Sequence, residues 1–122
     1  MTDRELLEMA ANAAGCVVEG YSSPKGLLVA VRDGVSVWWN PLSDDSDALQ
    51  LAVKLGIGTG RCFQVVIDSE IDRTGVRHTD RGGKYDSLEE HGTDPYAATR
   101  RAIVLAAANI GKQIKGGQHG TE

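Results

Sequence analysis

The chain has two cysteines, three prolines, six aromatic residues and no surplus of positive charge in its 122 residues. Each shortage excludes something. Thirteen Lys and Arg against 17 Asp and Glu leave a formal charge of −4. That balance argues against a general nucleic-acid or anionic-membrane binder, because counterion release needs a basic face. No apolar run approaches a membrane span, "AIVLAAANI" being too short. The N-terminal "MTDRELLEMAANAAG" lacks a basic start followed by an apolar stretch, so it does not read as a signal peptide. Cys16 and Cys62 stand far apart without C-x-x-C spacing and read as free buried thiols of a reducing compartment. A cytoplasmic protein is the expectation.

What is present reads as a single alpha-beta domain over 1–111, followed by a polar, glycine-rich tail, 112–122, expected to be disordered. Thr2 and Glu5 form a capping box for a first helix, with Leu6, Leu7, Met9, Ala10, Ala11, Ala13 and Ala14 as its apolar stripe and Gly15 as its stop. "CVVEGY", "GLLVAV" and "VSVWW" follow, separated by Ser22-Ser23-Pro24-Lys25 and by the hairpin signal Asp33-Gly34. They read as a three-stranded antiparallel meander whose middle strand is covered on both faces. Pro41 ends the third strand and Ser43 is the expected N-cap of a second helix. That helix would turn Leu42, Leu49, Ala52 and Val53 to the core, with Leu51 and Leu55 on its flank, and end at Gly56. "RCFQVVID" reads as a fourth strand. The charged segment 69–92 reads as a hairpin around Gly75 or Gly82-Gly83. Asp94 caps a last helix with Pro95 at its first position. The sum is an α/β (α+β) fold, a small alpha-beta-alpha sandwich with a mainly antiparallel sheet of four to five strands and three helices. No internal repeat is visible.

The runs "WNPLSDDSDALQLAVKLG", "DPYAATRRAIVLAAANIG" and "LLEMAANAAG" resemble a family of small phage and prophage proteins, the phage ABA-sandwich domain. The resemblance implies a layered alpha-beta-alpha fold and a phage or prophage origin, and it brings no catalytic residues. The segment 69–90 is longer and more charged than that family's pattern.

Several motifs look chemical and have plainer explanations. Asp44, Asp45 and Asp47 suit the positive end of a helix better than a hard cation, since no D-x-D-x-D-G loop accompanies them. His78, His91 and His119 are scattered, so they read as surface residues rather than metal ligands. No G-x-S-x-G elbow or cysteine–histidine pairing appears. "GIGTGR" runs from helix to strand, the reverse of a phosphate loop. No catalytic residue, metal site or cofactor is therefore expected.

Two groups of residues remain as candidates for ligand binding. Arg73, Arg77 and Arg81 flank exposed glycines in the charged hairpin, a combination suited to anionic groups. Arg100 and Arg101 interrupt an alanine-rich helix, so one of them needs an internal partner such as the Asp44–Asp47 corner, or a ligand. Trp38 and Trp39 are neighbours in a strand and must point to opposite faces, leaving one indole away from the main core. Three functions follow. The first is a phage accessory protein, with a counter-defence role, that sequesters a small anionic or nucleotide-like ligand without chemistry. The second is a regulator that binds a host protein. An enzyme on nucleotides or peptides ranks last. A homo-oligomer is compatible with each.

Overall fold

The computed structural model describes residues 2–59, 63–68, 70–78 and 85–121, and within these the side chains of all but 57–59, 63, 78 and 113–121. The elements run α1 (Asp3–Ala14), β1 (Val17–Ser22), β2 (Gly26–Arg32), β3 (Val35–Trp39), α2 (Asp45–Thr59), β4 (Phe63–Asp68), β5 (Arg73–His78), β6 (Tyr85–Glu90) and α3 (Pro95–Thr121). The α+β expectation holds: three helices pack against six antiparallel strands. The strands form two separate three-stranded meanders, β1-β2-β3 and β4-β5-β6. The same order, a helix and then three strands, thus occurs twice, although nothing in the sequence announces a repeat.

Local chemistry accounts for most boundaries. Thr2 and Glu5 form the capping box at the start of α1, and Gly15 closes that helix in the left-handed conformation at φ 73°. Asp94 Oδ1 accepts from Tyr96 N and Ala97 N at 3.0 and 3.1 Å, with Pro95 at the first position of α3. That helix continues past Gly111, where the sequence suggests a stop. Gly75 lies inside β5 rather than at a turn. The ring of Tyr85 and the side chain of Leu88 occupy the space where a Cβ would stand, so an aromatic covers a strand glycine. The expected Gly82-Gly83 turn lies outside the described residues.

α2 departs from expectation in three ways, the first being that it runs on to Thr59 rather than ending at Gly56. Asp44, not Ser43, caps it, its Oδ1 accepting from Asp47 N at 2.9 Å. Asn40 has already begun a turn here: its Oδ1 accepts from Leu42 N, and its carbonyl accepts from Ser43 N and Asp44 N. That turn delays the helix by one residue. The helix is also rotated. Ala48, Leu51 and Leu55 are buried, whereas Leu49 and Val53 are 65% and 52% exposed. Both sets have helical spacing; contact with α3 and α1 decides between them.

The core lies where the helices meet. α1 covers β1 and β2, α3 covers β5 and β6, and α2 packs on α3, α1 and β4. α1 and α3 run in the same direction, because Asp3 meets Arg101 and Asn12 Nδ2 donates to the Gly111 carbonyl at 2.9 Å. Ala10, Ala11 and Ala14 share the buried cluster with Ala102, Ala106 and Ala107. Small side chains allow backbone-to-backbone approach, and at Gly111 the approach is extreme: a Cβ there would lie 1.8 Å from the Met9 carbonyl oxygen. Gly111→Ala therefore forces the helices apart. It should destabilise the domain by at least about 2 kcal/mol, more than an ordinary surface change, as read by urea unfolding.

Candidate functional site

Trp39 and Trp38 face opposite ways, as strand alternation requires. Trp39 pairs with Leu27 and is buried against the helices; Trp38 pairs with Leu28 and stands 42% exposed on the outer face, its ring 5.2 Å from the Lys25 ammonium. The apolar run of β2 is covered on one face only. Leu27 and Val29 are buried, while Leu28 and Ala30 remain half-exposed, which corrects the doubly covered strand expected from "GLLVAV".

Arg73, Arg77, Arg100 and Arg101 are each held by neighbours in the fold. Arg100 donates through Nε to the Leu42 carbonyl at 2.9 Å and through Nη1 to Asp45 at 2.6 Å, so its guanidinium is held inside the corner where α2 begins. Arg101 lies between Asp3 at 3.8 Å and Glu89 at 3.5 Å, tying α3 to α1 and β6. Arg73 pairs with Glu90 at 3.6 Å. Arg77 donates to Gln64 and lies 5.4 Å from the centre of the Tyr85 ring. Each of these four has partners within the fold. Arg81 lies outside the described residues.

His91 is buried rather than at the surface. Its backbone N–H donates to the Asp72 carbonyl at 2.7 Å, and its Nε2 is 2.7 Å from Thr74 Oγ1. Thr74 Oγ1 is also 2.9 Å from Thr99 Oγ1, which joins β5, the end of β6 and the first turns of α3. Thr74 is fully buried, so this hydroxyl–imidazole pair fastens the second sheet to α3 and presents no nucleophile to a substrate. The side chains of His78 and His119 are not among those described. Among the described residues, no group of three or more His, Cys, Asp or Glu could hold a metal ion, and no helix is long and apolar enough to cross a membrane.

A concavity of about 430 Å³ opens where the first sheet extends beyond the helices that cover it. Val29, Val31 and Val37 make its apolar floor, with Trp39 among its lining residues. Gly15 and Cys16, at the end of α1, form one side; Asp47, Gln50 and Lys54 of α2 form the other. Those three polar residues have i, i+3, i+7 spacing, which places them along one helical face. None of Arg73, Arg77, Arg100 and Arg101 lines the groove. A smaller hollow of about 260 Å³ lies beside Pro24, Asn40 and Leu42.

Two groups in the groove are shifted by burial. Burial pushes the Cys16 thiol up, and the nearby Lys54 charge offsets this only in part, so the group stays a thiol at neutral pH. Burial likewise raises Asp47; the hydrogen bond from Asn40 N, 2.9 Å from Oδ2, opposes the rise, and the Asp44 charge adds to it. A carboxylate with increased proton affinity, an amide and an ammonium over a floor of valines can recognise a flat amphiphile with an anionic end. The sequence reading missed Gln50, Lys54 and Val37. The helical spacing of Asp47, Gln50 and Lys54 was the available signal.

Comparison of the chain with protein-family models, with curated proteins and with solved structures finds no match.

Two measurements check this description. Thr74→Val keeps the shape but strips His91 Nε2 and Thr99 Oγ1 of a buried partner, so it should cost about 1–3 kcal/mol in urea unfolding. Asp47 holds its proton more tightly folded than unfolded. Its contribution is therefore most favourable while protonated and is lost as pH rises from the ordinary aspartate value through the raised one. Asp47→Asn retains an oxygen acceptor for Asn40 N, and its stability relative to the parent should improve between pH 3 and pH 7.

Proposed function

We propose that this chain is a binding protein that holds a small nucleotide-type ligand, without transforming it, in the groove between the first sheet and α2. The observation that carries the reading is the groove itself: a valine floor of a size suited to a small ligand, with Asp47, Gln50 and Lys54 along one side. Valines and the Trp39 wall suit the faces of a heterocycle, Gln50 and Asp47 suit its hydrogen-bonding edge, and Lys54 suits a phosphate. Sequestration rather than catalysis is supported by the burial that keeps the Cys16 thiol protonated and so a poor nucleophile. The resemblance to small phage proteins extends the proposal to a counter-defence role, in which the captured molecule is a host nucleotide signal.

Calorimetry against a panel of mononucleotides, cyclic nucleotides and ADP-ribose derivatives is the direct test. At least one should bind, and Lys54→Glu should weaken it by at least about tenfold by reversing the charge at the phosphate end. Ligand recovered after denaturation should be chemically unchanged. A panel with no binder removes the nucleotide reading, and a recovered product removes the non-catalytic one. The competing proposal, binding of a host protein, has the exposed Trp38 face in its favour.

A further inference from the structure

The outer face of the first sheet, opposite the groove, carries an exposed tryptophan and, in the same row, a glycine. Cross-strand pairing aligns Trp38 with Leu28 and Leu28 with Gly20, so the three form one row across the sheet: a large ring on β3, a half-exposed leucine on β2 and no side chain on β1. Glycine inside a strand marks a bulge, a left-handed backbone or close approach by another group, and Gly20 adjoins the register shift of β1 between Val18 and Gly20. Its outward side is open within the chain. Gly20 has no positive φ, and a Cβ there would meet only Leu28 Cβ, at an ordinary 3.9 Å.

We propose that this face is the interface of a homodimer, with Trp38 of each copy seated over Gly20 of the other. The argument for a second copy is self-complementarity. Projection and hollow lie in the same row, one strand to either side of β2, each about 5 Å from it. A two-fold axis running along β2 between two stacked sheets therefore brings each indole above the glycine opposite, and the two Leu28 side chains together at the centre. Val17, 64% exposed, and Ala30 lie in the neighbouring row and extend the apolar contact. The charged groups on the face are of both signs: Lys25 lies over the indole, and Glu19 reaches across the sheet to accept from Ser36. Lys25 is a flexible side chain that docking displaces to the solvated rim. The groove opens on the sheet's other face, so dimerisation leaves it accessible.

Sedimentation velocity of the full chain over a concentration series tests this. The parent should be a dimer. Trp38→Ala removes the projection and Gly20→Leu fills the hollow, and each should weaken association by at least about tenfold. Gly20→Leu has room within the chain, so its far-UV circular dichroism should match the parent. Leu49→Ala, on the exposed side of α2, should leave the dimer intact. A parent that is monomeric at every concentration overturns the proposal, as does either face variant that dimerises as tightly as the parent. A foreign protein bound at Trp38 to an otherwise monomeric chain overturns it in favour of a heterologous partner.

Discussion

Between the two sheets, the backbones of α1 and α3 touch where Gly111 passes the Met9 carbonyl, and the placement of both sheets follows from that approach. Each meander has one apolar face, which has to be covered by another layer to leave water. The first is buried by α1 and the second by α3, so the helix pair is the common wall on which both depend. Alanine is the residue that permits this. Ala10, Ala11, Ala14, Ala102, Ala106 and Ala107 keep side chains short enough for close contact, and the Asn12 amide satisfies the Gly111 carbonyl at the tightest point. Polar links then secure the periphery: Arg101 joins α3 to α1 and β6, Arg100 joins it to the start of α2, and the Thr74–His91–Thr99 cluster joins it to the second sheet.

This arrangement also explains why Arg100 and Arg101 have partners within the fold. A guanidinium on an alanine-rich helix lies close to neighbouring backbone and needs acceptors. The fold supplies them from Leu42, Asp45, Asp3 and Glu89. The groove arises instead from a mismatch in length. The first sheet runs on past the end of α1, leaving Val31 and Val37 uncovered, and α2 crosses beside them with Asp47, Gln50 and Lys54. An apolar floor with a polar side is what remains when a sheet is longer than its covering layer.

Much of this was legible in the order of residues. The capping box at Thr2, the left-handed Gly15, the Asp94-Pro95 start, the meander through Trp39 and the opposed indoles are all consequences of bonds or alternation within a few residues. The ion pair between Arg100 and the acidic corner was also foreseeable, because a half-buried cation on an apolar helix needs an anion. The groove was not. Its residues come from α1, β2, β3 and α2, and Lys54 looks like any solvated lysine until those elements are placed together.

The sequence by itself determined where most elements begin, which strand neighbours face apart, and that three helices would accompany antiparallel strands. Those properties come from backbone hydrogen bonding and side-chain alternation over short spans. Only the tertiary structure decided that the strands divide into two sheets, that α2 buries Leu51 and Leu55 in place of Leu49 and Val53, and that His91 lies inside. In each of those cases the sequence offered two arrangements of similar local merit. The choice fell to the close contact of α1 with α3, which set the space that every other element had to fill.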